Sequence, residues 1–140
     1  RSAVQSRSVA CFYFGVFMRK SAAHPTHYLA EFSECRSEWL SDPLRAREEL
    51  SRLFIESGEF IRAEYFSASE NALLSGSLIG HSTELSFHAW PESAFATCGL
   101  FITDGNLNPR KFLNRVNRLV KAKRYLVLEV PVGEILSGEE

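Results

Sequence analysis

Two helix starts with only strand-like segments between them limit this chain more than any other feature. Asp42-Pro43 and Asn108-Pro109 each set a capping side chain before a proline. Proline's fixed φ and missing N–H suit the first helical position, and the preceding carboxylate or amide caps the free N–H groups. After the first start, Ala46, Leu50, Leu53, Phe54 and Ser57 recur at spacings of three and four, and Gly58 follows as a stop. After the second, Phe112, Val116, Leu119 and Val120 line one helical face. Between the helices lie four strand candidates, 59–66, 73–79, 84–90 and 95–103, parted by short polar or Pro-containing breaks. Segments 27–32 and 125–130 predict a first and a last strand. The expected order is β-α-β-β-β-β-α-β. Helices this few and this separated cannot alternate with strands as a parallel sheet requires. The pattern predicts an α+β fold: a two-layer sandwich of one mainly antiparallel sheet with both helices on one face.

The 140 residues suffice for one domain with a real core. A net charge of −1 argues against a general nucleic-acid binder, and no apolar run is long enough to span a bilayer. Cys11, Cys35 and Cys98 are far apart and form no metal-ligand spacing, so zinc is not expected and burial as small apolar residues is. Residues 1–26 read as an N-terminal arm before a domain at 27–140. The arm carries Arg1, Arg7, Arg19 and Lys20 and no acid, the bias of organelle transit peptides. That points to a plastid or mitochondrion, with the cytoplasm as the alternative. Within the arm, Val9 and Met18 bound the run VACFYFGVFM. The run is too short to cross a membrane and too apolar to be left in water. It is either an extra strand of the domain or a surface for a partner.

Three stretches carry a family resemblance: HYLAEFSEC at 27–35, LSFHAWPE at 85–92, and the Pro109 helix running into VKAKRYLVLEV at 120–130. In order and spacing they resemble the prokaryotic-type, pyruvoyl-dependent S-adenosylmethionine decarboxylases. The resemblance implies the α+β fold above and a demanding chemistry. Family members cut themselves at a Glu-Ser bond, and the serine becomes a pyruvoyl group. That group forms a Schiff base with the substrate amine and accepts the electrons released with CO₂.

Carried over by position, the family serine falls on Thr83, its glutamate on Ser82, and its two histidines on Glu84 and His88. Threonine could yield only 2-oxobutyryl. A slip of one residue would make Ser82 the nucleophile and is expected to turn that side chain away from His88. The family's proton-donating cysteine falls on Thr103, a far weaker acid than a thiol. Cys98 lies five positions earlier, an odd offset that turns it to the other face. Ser69 replaces the aromatic that stacks on the substrate's adenine, while Ser75, Gly76, His88, Trp90 and Glu92 match the family.

The expected site is therefore degenerate: Thr83, His88, Thr103 and Ser75 at chemical positions, and Trp90, Glu92 and Ser69 as a substrate-binding remnant. No catalytic residue, pyruvoyl cofactor or metal is expected, and the chain is expected uncleaved. The surviving residues also have plainer roles, His88 as a structural histidine, Trp90 as core, and Ser75-Gly76 as close strand packing. Arg110, Lys111, Arg115, Arg118, Lys121, Lys123 and Arg124 read as a solvated helix face rather than a nucleic-acid patch. The leading expectation is a non-catalytic relative, a structural or accessory subunit of an organellar assembly. It would engage protein subunits through its arm, membrane-embedded ones included, and no specific nucleic acid. The alternatives are a regulatory pseudoenzyme that pairs with an active decarboxylase, and an active enzyme of spermidine biosynthesis; a homo- or heterodimer is among the expected states.

Overall fold

Alternation with period two builds the sheet and period 3.6 the helices. A computed structural model describes residues 3–8, 25–71, 73–104 and 107–133, the first of these segments by its backbone. The elements are β1 (Ala3–Ser8), β2 (Thr26–Ser33), α1 (Pro43–Glu56), β3 (Ile61–Ala68), β4 (Leu74–Gly80), β5 (Thr83–Trp90), β6 (Phe95–Ile102), α2 (Pro109–Val120) and β7 (Arg124–Pro131). The strands form one sheet in the order β1-β7-β2-β6-β5-β4-β3. All pairs are antiparallel except β1 with β7, which is parallel.

Both proline-initiated helices start as expected. Asp42 accepts from the amides of Leu44 and Arg45, and Asn108 from that of Lys111. Gly58, at φ +100°, turns the chain out of α1 as the expected stop. The β1 strand, in contrast, belongs to the stretch expected as an arm outside the domain. Ala3 through Ser8 pair with Arg124 through Glu129 at the sheet's edge, so that part of the arm is a strand of the domain's own sheet. The aromatic run bounded by Val9 and Met18, with Cys11, lies outside the described residues.

Burial follows the alternation. Leu74 and Leu78 of β4, Leu85, Phe87 and Ala89 of β5, Ala96, Cys98 and Leu100 of β6, and Ala30 and Phe32 of β2 form one buried sheet face. Leu50, Phe54, Phe112, Leu113, Val116 and Val120 of the helices close over it. Phe54 and Phe112 meet edge to face at 6.2 Å between the helices, and Trp39, in the turn before α1, lies 5.8 Å from Phe87. At roughly 1.5–3 kcal/mol for each fully buried large side chain, this layer dominates stability. The other sheet face has no layer over it among the described residues, and Leu29, Tyr65, Ile79 and Trp90 are exposed there.

The basic residues around α2 lie on the surface and several reach acids on other elements: Arg110 to Glu129, Arg115 to Glu56, and Lys123 and Arg124 to Glu34. This is the solvated face expected of them.

Candidate functional site

The β5 strand carries most of the expected positions, and its two ends differ. Its first residue, Thr83, is 1% exposed on the helix-covered face. His88 lies on the uncovered face, half-buried, five positions along. An odd offset on a strand puts two side chains on opposite faces, and five residues span roughly 17 Å. The expectation that Thr83 shares a face with His88, and that a slip to Ser82 would lose it, is therefore corrected: Ser82 has the parity of His88 and Thr83 does not.

At the Thr83 end, the group that organises the site is one the sequence did not disclose. Glu59 follows Gly58 at the end of α1 and is only 5% exposed. Its carboxylate accepts the Ser82 hydroxyl at 2.7 Å and the Thr83 hydroxyl at 2.9 Å, both on Oε2. The backbone amides of His81, at 2.8 Å, and Ser82, at 3.3 Å, complete the set. Gly80 makes the approach possible, since a Cβ there would lie 2.4 Å from Glu59 Oε1. Burial alone would raise the carboxyl's pKa. The hydrogen bonds from Ser82, Thr83 and His81 outweigh it and hold the pKa below the ordinary glutamate value. The Ser82 carbonyl points the other way and accepts the Thr103 amide at 2.9 Å and the Thr103 hydroxyl at 3.2 Å. The peptide between Ser82 and Thr83 is thus tied on both sides.

At the other end, Ser75 stands directly across from His88, and His88 across from Thr97. Trp90 is 39% exposed, its ring 6.3 Å from that of His88 and 5.6 Å from that of Phe95. Trp90, expected in the core, lies instead on the face that the helices leave bare. Glu92 is exposed in the tight turn from β5 to β6, which Ala94 closes in the left-handed region at φ 52°. Ser69 is exposed in the turn after β3, where its amide donates to the Leu73 carbonyl and its hydroxyl accepts the Leu73 amide. Ser75, His88, Trp90, Glu92 and Ser69 therefore gather at one end of the sheet, and Thr83 and Thr103 stand at the other. Gly76 does permit close packing, because a Cβ there would meet the Phe66 ring at 2.0 Å.

Between the two ends the bare face sinks into a trough of about 520 Å³. Its floor is Ser77, Ser86 and Gly99, paired across three strands. Leu29, Ile79 and Phe101 are among its walls, with His27 and Glu84 at one margin.

Cys35 and Cys98, the cysteines among the described residues, are buried and free. Burial pushes Cys98, on the helix-covered face away from Thr103, up to about 12 and Cys35 up to about 11. Among the described residues no group of three or more His, Cys, Asp or Glu side chains is placed to hold a metal ion, and no helix is long and apolar enough to cross a membrane.

Comparison with known proteins gives one answer. The model of the S-adenosylmethionine decarboxylase family matches residues 26–133. A protein of Thermotoga petrophila named S-adenosylmethionine decarboxylase proenzyme is 31% identical over 103 residues, covering 74% of this chain and 79% of its own length. Its namesake from Pyrococcus furiosus is 28% identical over 111 residues, covering 76% and 77%. The crystal structure of the adenosylmethionine decarboxylase from Aquifex aeolicus superposes with a TM-score of 0.68 at 15% identity, over 78% of this chain and 90% of that one, a likeness of fold. By this match over most of its length, the chain belongs to the S-adenosylmethionine decarboxylase family.

Proposed function

We propose that this chain is a non-catalytic member of its family, kept for its fold and surface, and that it acts as a structural or accessory subunit of a larger assembly. The observation that carries this reading is the state of the acidic groups where the resemblance asks for a proton donor. Position 103 offers a hydroxyl already given to the Ser82 carbonyl, and both cysteines among the described residues are buried with raised pKa values. A thiol held that high does not supply a proton readily near neutral pH. Thr83 adds to the case, because a threonine cannot give a pyruvoyl group. Position 83 therefore does not fit the family's cofactor.

The bare sheet face supports the assembly half of the proposal. Exposed Leu29, Tyr65, Ile79 and Trp90 on one surface are what a partner would cover. Either a second copy or an active decarboxylase could lie there as a dimer partner, and the latter would make this chain a regulatory pseudoenzyme. The aromatic run bounded by Val9 and Met18 is proposed as the contact with further subunits, including membrane-embedded ones. The Arg- and Ser-rich start is proposed to direct the chain to a plastid or mitochondrion.

Two measurements test the proposal. The chain of 140 residues, expressed as such, should show one uncut species of 15.8 kDa by intact mass. It should release no labelled CO₂ from carboxyl-labelled S-adenosylmethionine. Steady release abolished by His88→Ala, with two fragments split at Ser82-Thr83, would establish the active-enzyme alternative.

A further inference from the structure

Around Glu59 the chain has built the full donor set of a small-anion site and then filled it with its own side chain. The turn leaving β4 contributes the His81 and Ser82 amides and the Ser82 and Thr83 hydroxyls, all directed at one carboxylate. Successive backbone amides in a turn, flanked by hydroxyls, are the usual makings of an oxoanion cradle. Two features show that this one is fitted. Gly80 leaves the floor open, where any Cβ would strike the carboxylate at 2.4 Å. Glu59 is also almost wholly withdrawn from water although no cation among the described residues pairs with it, so there the four donors hold its charge.

We infer that Glu59 is a positioning residue: an internal anion seated in an oxoanion cradle formed by the 80–83 turn, fixing the Ser82-Thr83 peptide in its intact arrangement. Glu59 lies 23 and 24 residues from its two hydroxyl partners, at the junction of α1 and β3. Through it the end of the helix layer is tied to the start of β5. On the far side of the same peptide, Thr103 grips the Ser82 carbonyl by both its amide and its hydroxyl. The carbonyl, both hydroxyls and the two amides are thereby held at once. With the carboxylate removed, two hydroxyls and two amides would be left in a buried pocket without an acceptor, and the turn would have to open to water. The role assigned to the peptide rests on the proposal that the chain stays uncut; the cradle itself does not.

The test is chemical rescue of the full chain. Glu59→Ala should lower the melting temperature by several degrees. Formate or acetate at tens of millimolar should restore most of the loss by entering the vacated cradle, whereas chloride at equal ionic strength should not. Wild-type protein, its cradle filled, should show no such gain. If Glu59→Ala does not fold alone, refolding yield with and without formate is the readout. Glu59→Gln supplies the control: its amide should keep the space filled, so it should melt below wild type and ignore formate. Rescue equal in chloride and formate, or a Glu59→Ala melting temperature equal to that of wild type, would overturn the inference. Intact mass, measured on the same samples, addresses cleavage separately. A wild-type chain found cut at Ser82-Thr83 would defeat the uncut reading while leaving rescue to decide the cradle.

Discussion

The two ends of β5 are built on opposite principles. At Thr83 the strand begins among polar groups that are buried and mutually satisfied, with Glu59 and Thr103 tying down one peptide from two sides. At Trp90 it ends among rings left half in water, over a sheet face with no layer upon it among the described residues. The first end holds a conformation and the second presents a surface. A buried hydrogen-bonded charge is costly to disturb because every lost partner strands another. An exposed ring is cheap to disturb in the isolated chain, and its value appears only when something covers it. Stability and association should therefore separate along this one strand.

The largest effect should come from Phe87, three residues from Trp90 and on the opposite face. It is fully buried against Trp39 under the helices. Phe87→Ala should cost about 3–5 kcal/mol, the usual penalty for emptying a core aromatic site, as measured by denaturant titration. A loss below about 1 kcal/mol would mean that the helix layer does not close over β5 as described.

Much of this architecture was legible beforehand. Asp42-Pro43 and Asn108-Pro109 marked both helices because capping is local chemistry, readable within four residues. The alternation in 84–90 showed that β5 has two unlike faces. It could not show which face the helices cover, which is why Trp90 was expected in the core: a tryptophan beside buried alternation looks the same whether its side is roofed or bare. The relation of Thr83 to His88 needed only counting, since an offset of five already separates them. Glu59 was beyond the sequence. A lone acid after a helix-stopping glycine looks like any surface residue, and its partners arrive from another turn by tertiary folding. Gly80 was the one available trace, a glycine whose missing side chain makes room for something, without saying for what.

The middle-sized effect belongs to Glu59 and carries a pH signature. Glu59→Gln keeps the shape but sets an amide N–H₂ against donors, so a loss of about 1–3 kcal/mol is expected at neutral pH. The wild-type carboxyl titrates below its ordinary value in the folded state, while in the unfolded chain it titrates near 4.3. Its contribution is thus fully present above about pH 4.3 and is lost as pH falls through the folded-state value. The gap between wild type and Glu59→Gln should be constant from neutral pH down to that region and should close below it. Urea midpoints followed across the acid range would show this. A gap that widens on acidification would mean that the carboxyl is held above its ordinary value, and the donor set around it would be misassigned.

The smallest effect on the isolated chain, and the most informative for function, is at Trp90. Its ring touches Phe95 and lies near His88, but much of it faces water. Trp90→Ala removes no buried polar partner and opens no enclosed cavity, so its stability should stay within about 0.5 kcal/mol of wild type. Association is a different matter. Large aromatics at the centre of an interface are common hot spots, worth 2 kcal/mol or more when truncated, which is at least a tenfold loss of affinity. If the bare face is a contact surface, the variant should keep its melting temperature and lose its partner, read by sedimentation of the purified chain and by co-purification from the native source. Tyr65→Ala, at an exposed tyrosine on the same face, 67% in water, extends the test to the β3 edge. A Trp90→Ala protein that melts many degrees lower would make Trp90 a structural residue after all. One that keeps both its stability and all its associations would place the assembly surface elsewhere on the molecule.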